Sequence, residues 1–368
     1  MAIPQKRVVV IGAGPAGSAT AMSLRRFPGV EVLLLDRATF PRRKACGSGL
    51  SPWCLELLDG MGLGGAVRRE AFPIGAARIA GARGEVLELR SHYQAAVLLR
   101  ARFDELLAHE AVRRGARLRD GVRVREIVRE GEKLIGVSTS DGDLEADAVI
   151  VSNGANTTFA REPRPGRTLH TYMAWYEGVE GVIDAVELYF DPVVKPYYGW
   201  LFPESESRVN IGVVFRPRSG EANARERFDE FVHTRLRSRL QYATRIGRPV
   251  GHPVATSHRP TALAQQGLLI AGEAGRLVDP ATAEGIHHSL ASGWVAGGYL
   301  GELFEARRTP SLDNLAPYTR RVRQAIGPRL IAGHSLLQLF KTPLFDWLIR
   351  FGSFGPVRSL LTRALANA

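Results

Sequence analysis

Arg7-Val8-Val9-Val10-Ile11-Gly12-Ala13-Gly14-Pro15-Ala16-Gly17 is the stretch whose reading decides the fold. The apolar run before Gly12 suits a central parallel strand buried on both faces. Ser18 to Arg26 reads as a helix, and Glu31-Val32-Leu33-Leu34-Leu35 as a second strand ending at Asp36. This is G-x-G-x-x-G inside a βαβ unit, the context that gives the motif its meaning. Gly12 permits the tight turn, Gly14 lets the backbone approach a pyrophosphate, and Gly17 lets the helix lie close to the strand. The helix N-terminus supplies N–H donors and a positive dipole end. Asp36, about twenty residues further on, stands where a carboxylate meets ribose hydroxyls. The turn alone does not separate NAD from FAD.

Outward from this unit, Phe103 to Arg114 reads as an amphipathic helix, opened by Arg100-Ala101-Arg102-Phe103-Asp104. Gly121 to Val128 alternates as a strand that Leu134 to Thr139 can pair with, and Ala146 to Val151 reads as another buried strand. Gly267 to Ile270 is a short strand, followed by Ala271-Gly272-Glu273-Ala274-Gly275 and then Ala283-Glu284-Gly285-Ile286-His287-His288. Ile74 to Leu89 and Thr168 to Arg216 read as strands, with a helix near Ala222–Leu240.

The chain has 368 residues, 45% hydrophobic and 23% charged, which is globular composition and excludes collagen-like or wholly disordered readings. A formal net charge of +12 raises nucleic acid as a partner. The basic residues are scattered and no RNA- or DNA-binding motif occurs, so no nucleic acid is expected. Two cysteines cannot form a disulfide framework. A reducing, cytoplasmic setting is expected, with neither a signal peptide nor a spanning helix.

Two segments carry candidate chemistry. Lys44-Ala45-Cys46-Gly47-Ser48-Gly49-Leu50-Ser51-Pro52 is Gly-rich and ends in a helix start, Ser51 as N-cap and Pro52 at the first position. Pro196-Tyr197-Tyr198-Gly199-Trp200-Leu201-Phe202-Pro203 puts Tyr198, Trp200 and Phe202 on one strand face, a wall for an apolar cavity.

With these residues in order, the chain resembles the geranylgeranyl reductase family, within the aromatic-hydroxylase superfamily of FAD-dependent oxidoreductases. Flavin halogenases and monooxygenases are related to it. The resemblance spans about residues 5–305. It implies FAD, held by Gly12, Gly14, Ala16, Gly17, Asp36, Arg37, Lys44, Cys46 and Gly47. Arg100 matches the arginine of an R-x-x-F-D motif along the FAD phosphates. Gly272-Glu273 matches a Gly-Asp pair on the ribityl chain, with Glu in place of Asp. Gly285 and Ile286 match the turn facing the flavin pyrimidine ring. Ser152-Asn153-Gly154 stands where hydroxylases carry Ala-Asp-Gly. Cys46 matches the family's K-x-C-G-x-G-L segment, and Tyr198 and Trp200 its P-x-x-Y-x-W-x-F-P segment, although Lys195 replaces the leading proline. Cys46, Tyr198 and Trp200 are therefore the candidate catalytic residues.

The expected fold is α/β: a Rossmann-like FAD-binding domain, an α+β antiparallel-sheet substrate domain and a helical C-terminal tail. The expected boundaries are 1–75, 97–165 and 255–306 for FAD, 76–96 and 166–254 for substrate, and 307–368 for the tail. The expected activity is reduction of C=C bonds in a large hydrophobic, isoprenoid-type substrate by hydride from reduced FAD. The alternative is a monooxygenase or halogenase acting through a flavin C4a-hydroperoxide. No second nucleotide turn exists, so the reductant is either transient NAD(P)H or a separate flavin reductase or ferredoxin. His287 and His288 lack a third ligand, so no metal is expected; one faces the flavin and the other packs. His92, His170, His252, His258 and His334 form no constellation. Cys54 reads as a buried packing residue. The tail interleaves Leu336, Phe340, Leu344 and Trp347 with Arg329, Lys341, Arg350, Arg358 and Arg363. It suits either a cover over the cavity, the preferred reading, or peripheral membrane contact.

Overall fold

The computed structural model describes residues 6–160, 167–217 and 223–352, apart from the side chains of 91–93. Arg358, Arg363 and the His92 side chain therefore lie outside the described residues. A six-stranded sheet runs in the order Ala264–Gln265, Leu268–Ile270, Ala148–Val151, Lys6–Ile11, Val30–Leu35 and Arg117–Arg119. Its strands are parallel except at the Ala264–Gln265 edge. Val8, Val9 and Val10 are fully buried in its centre, as a strand covered on both faces requires.

Helix α1 (Pro15–Leu24) starts at the Gly-rich turn, three residues earlier than its sequence pattern suggests. Gly12 takes φ +96, and a Cβ there would lie 2.8 Å from Asn153 Cα. At Gly17 a Cβ would lie 1.8 Å from Gly12 O, so the turn closes only on glycine. Helix α2 (Pro52–Gly60) is capped as its sequence indicates, Cys54 N donating to Ser51 Oγ at 3.3 Å. Helix α3 (Arg100–Arg113) includes the arginine that was expected just ahead of it.

Helix α4 (Ile286–Glu305) lies across α1 through a stripe of glycines. A Cβ at Gly293 would sit 2.1 Å from Ala16 O, and one at Gly297 2.5 Å from Thr20 O. Thr20 Oγ1 donates to Gly293 O at 3.0 Å and Ser23 Oγ to Trp294 O at 2.9 Å. Small residues bring the backbones together, and hydroxyls satisfy the buried carbonyls.

The second sheet has eight strands, ordered Thr244–Thr256, Arg167–Glu177, Val209–Phe215, Gly199–Pro203, Ala185–Tyr189, Phe72–Ala80, Val86–Val97 and Gly49–Leu50. The sequence suggested an antiparallel substrate sheet, and Ala185–Tyr189, Gly199–Pro203 and Val209–Phe215 pair that way. One pair departs from that: Ala185–Tyr189 runs parallel to Phe72–Ala80. A third sheet of three strands, from Val124 to Glu145, flanks the first. The region near 222–240 holds a helix, Ala224–Phe231, that loosens into a wide π turn over Val232–Leu236.

Helices α5 (Pro317–Phe340) and α6 (Pro343–Phe351), preceded by the single helical turn Leu312–Leu315, make up most of the described part of the tail. Phe340 and Phe345 pack on Phe190, ring centroids 4.8 and 4.6 Å apart. A Cβ at Gly333 would lie 1.7 Å from Asp279 Oδ2, so α5 rests directly on the loop before α4. Among the described residues no helix is long and apolar enough to cross a membrane.

Gly293→Val is expected to cost about 3 kcal/mol, because the clash is with backbone that cannot move aside. Denaturant unfolding measures it; wild-type stability in the variant would mean that α1 and α4 do not meet this way.

Candidate active site

A cavity of about 1300 Å³ is lined by residues of both large sheets. Pockets for one small molecule hold roughly 300–1,000 Å³. This one has room for a dinucleotide and a second large ligand.

One end is built for anions. The α1 N-terminus has no side-chain cap and no acidic residue in its first turn. A Cβ at Gly14 would point toward Arg42 Nη2 at 3.4 Å and Arg100 Nη2 at 3.9 Å. Arg100 grips Asp104 with two bonds of 2.7 and 2.9 Å, and Arg42 Nη2 reaches the same carboxylate at 3.0 Å. Two guanidinium groups thus share one carboxylate beside the positive helix end. Burial works against the Arg100 charge, but Asp104 and the Cys46 sulfur outweigh it and hold its pKa above the usual range. Arg42 Nε is buried without a hydrogen-bond partner among the described residues. The two guanidinium groups and the open N–H groups of the helix end fit a diphosphate. Asp36, buried at the end of the second strand, accepts from Ala13 N at 2.9 Å and Ala38 N at 3.0 Å. Arg37 is exposed and lines the cavity.

Gly12, Gly14, Ala16, Asp36, Arg37, Lys44, Cys46, Gly47, Arg100, Glu273, Gly285, Ile286, Tyr198 and Trp200 all line this cavity. Gly17 and Gly272 do not line it. Gly17 lies behind the turn, and Gly272, at φ +63, packs on Ala16 Cβ and donates to Ser292 Oγ at 2.9 Å. Ser152 acts structurally, its hydroxyl donating to Ile11 O at 2.8 Å.

The cysteine segment and the aromatic row, separate in sequence, meet here. A Cβ at Gly47 would lie 3.1 Å from the Phe202 ring. Asn210 joins the two: it accepts from Trp200 Nε1 at 2.7 Å and donates to Gly47 O at 3.0 Å. Ser48 N donates to Cys46 Sγ at 3.3 Å. Tyr198 donates its hydroxyl to Thr282 O, and burial pushes the phenol pKa up, so it stays protonated. Cys54 is fully buried and burial pushes its thiol pKa up, as a packing residue requires.

His252, assigned to no constellation from sequence, belongs to one. Its Nε2 lies 2.5 Å from Lys44 Nζ and 3.6 Å from Glu273 Oε2. Burial pushes the Lys44 pKa down. Burial would raise the Glu273 pKa, but His252, Lys44 and the Ala255 N–H outweigh it and keep the carboxyl below its usual range.

The two adjacent histidines of α4 part company. His288 lines the cavity and its Nδ1 bonds Glu284 O at 3.1 Å. His287 does not line it, and burial with the neighbouring His288 and Arg329 pushes its pKa down to about 3. Among the described residues no group of three or more His, Cys, Asp or Glu is placed to hold a metal. Arg42, His252 and Asn210 were missed by sequence reasoning. Only Arg42 had a signal, the Arg42-Arg43-Lys44 run beside the Gly-rich segment.

His287 stays neutral in the fold and takes a proton near 6.5 when unfolded. The unfolded state then binds the extra proton, so stability falls as pH drops below 6.5 and keeps falling toward 3. One such group changes stability by about 1 kcal/mol per pH unit. His287→Leu is expected to flatten the acid limb of the stability curve by that slope; an unchanged limb would show that His287 is not buried neutral.

Residues 5–325 match the FAD binding domain family. Menaquinone reductase of Mycobacterium tuberculosis is 32% identical over 336 residues, which cover 83% of this chain and 79% of that protein. Digeranylgeranylglycerophospholipid reductase 1 of Methanopyrus kandleri is 31% identical over 322 residues, covering 81% of each. The crystal structure of a geranylgeranyl bacteriochlorophyll reductase-like protein from Thermoplasma acidophilum superposes with a TM-score of 0.85 at 22% identity, covering 95% of this chain and 92% of that one. FAD is the dinucleotide that the anion end fits, and the chain belongs to the geranylgeranyl reductase family of FAD-dependent oxidoreductases.

Proposed function

We propose that the protein reduces carbon–carbon double bonds of a large hydrophobic, isoprenoid-type substrate. The observation that carries this is the cavity's second arm. Its lining joins Cys46 and Trp200 to Ile74, Ala76, Ile79, Leu89 and Leu188 of the eight-stranded sheet, with Arg90 and Gln94 beside them. A wall made largely of apolar and small side chains suits a long hydrocarbon tail. The reductase names of the two relatives support the same reaction class.

Bound and reduced, FAD supplies the hydride. The chain's own residues do the rest. The Gly12–Gly17 turn, Arg42 and Arg100 hold the diphosphate, and Asp36 the ribose. Trp200, through Asn210, fixes the Gly47 carbonyl and so the Cys46 thiol at the junction of the two arms. That thiol is placed to hold the proton needed by the second carbon. Tyr198 and Phe202 exclude water there. The six-stranded sheet serves the cofactor and the eight-stranded sheet the substrate, with 1–75, 97–165 and 255–306 against 76–96 and 166–254. The strand Phe72–Ala80 straddles one of those boundaries. Helix α5 covers the cavity with Gly333 and Leu336. Leu344 and Trp347 of α6, half-exposed beside Arg350, support an additional contact with a membrane surface.

Anaerobic single turnover with a prenylated quinone or prenylated lipid tests the reaction. The expected product gains two hydrogens per double bond. A reaction that needs oxygen would move the protein to the oxygenase or halogenase reading. Cys46→Ser is expected to lower turnover about 100-fold with FAD content intact; unchanged turnover would return Cys46 to a packing role. Gly14→Val is expected to give folded, colourless protein, because Gly14 has an ordinary φ of −78 and its Cβ fills only the phosphate approach. A yellow Gly14→Val protein would refute the diphosphate site.

A further inference from the structure

Between α2 and α4–α5 one arm of the cavity is lined by polar groups that the reading above gives no role. His288 is 2% exposed, lines the cavity, and its Nε2 has no hydrogen-bond partner among the described residues. Its Nδ1 meets the Glu284 carbonyl, which only accepts. The Nδ1 therefore carries the hydrogen, and in the neutral ring Nε2 is a bare acceptor. A buried acceptor left unmatched costs free energy, so a donor belongs there.

Charge says which donor. Arg329 of α5 lines the same arm, its guanidinium 3.9 Å above the Trp53 ring of α2. It lies close enough to act on the His287 ring. Two carboxylates, Glu56 and Glu284, share its field. Glu284 is fixed in place by Ser51, whose hydroxyl donates to it at 2.5 Å. One cation against two anions leaves this arm negative, unlike the arginine-rich end that meets the FAD diphosphate. A phosphate brought here adds charge of the sign already in excess, and it does so beside Glu284, which is half-buried. A hydroxyl does not. It donates to His288 Nε2, and its oxygen can still accept from a guanidinium.

We propose that this arm takes a neutral, hydroxyl-bearing head group, such as that of a prenyl alcohol or prenylated hydroquinone, and disfavours a phosphate. The inference rests on the isoprenoid reading of the cavity and narrows it to one head-group chemistry.

The test compares three ligands with one tail, farnesol, farnesyl monophosphate and head-less farnesene, for binding to the FAD-loaded enzyme by calorimetry. Farnesol is expected to bind about 10-fold tighter than either other ligand. His288→Leu is expected to bring farnesol down to the affinity of farnesene and leave farnesene unchanged. Glu56→Gln, on the exposed side of α2, is expected to raise the affinity for the phosphate about threefold. That variant decides the matter if His288→Leu does not fold. Phosphate binding as tight as farnesol, or farnesol no tighter than farnesene, overturns the head-group assignment and leaves the isoprenoid reading standing. Failure of all three ligands to bind overturns both.

Discussion

Asp104 is a carboxylate with no exposed surface, and the site is arranged around it. Its oxygens carry Arg100 from its own helix and Arg42 from the loop after the second strand. Without it Arg100 would be buried unpaired and Arg42 left with Asp36 alone, and a buried charge stripped of its partner costs about 3–5 kcal/mol. With it they are fixed on the side of Gly14 where a Cβ is missing. The pairing therefore does two things at once. It docks α3 against the first sheet, and it sets two guanidinium groups beside an open helix end. Arg42 also lies 3.3 Å from Asp36. Asp36, Asp104, Arg42 and Arg100 are thus held in a single ionic cluster.

Close backbone approach transmits this geometry to the reacting end. Gly17 sets α1 against its strand, and Gly293 and Gly297 set α4 against α1. The first turn of α4 carries Ile286 and His288 into the cavity. Behind it, Asp279 ties its own loop by accepting from Ala281 N and Thr282 N, each at 2.8 Å. Gly333 lets α5 seat on that same carboxylate. The tail helix is therefore part of the cavity wall, and its position is coupled to the Thr282 carbonyl that anchors Tyr198.

What the sequence made legible was local. The strand, turn and helix around Gly12–Gly17 are adjacent in the chain, and so their chemistry can be read from spacing. The same holds for Ser51 at its cap and for the alternation of Tyr198, Trp200 and Phe202. What stayed hidden depends on contacts across the chain. Lys44 and His252 stand 208 residues apart, and Asn210 reaches Gly47 across 163. No periodicity announces such meetings. The parallel pairing of Ala185–Tyr189 with Phe72–Ala80 was hidden for the same reason, because strand direction is set by a long crossover. The histidine pair was half legible. Adjacent helical residues point about 100° apart, so only one could face the cavity. Sequence alone did not say which.

The substitution of Glu for Asp at position 273 shows how a departure from a family pattern can be compensated in the fold. The longer side chain places one oxygen 3.3 Å from Ala255 N and the other 3.6 Å from His252 Nε2. Both partners lie in the strand Thr244–Thr256 at the edge of the second sheet. Lys44, from the cysteine segment, closes the set. The carboxylate thus binds the 3₁₀ turn Gly272–Gly275 to the outermost strand of the second sheet. The carboxylate stays charged despite its burial because His252, Lys44 and the Ala255 N–H stabilise it. A shorter Asp in this backbone would fall short of the strand by about one methylene. Its carboxylate would then remain in the cavity, and Lys44 would lose part of the anionic field that offsets its burial. Residues 44, 252 and 273 therefore form one unit, and a change at any of them alters the setting of the other two.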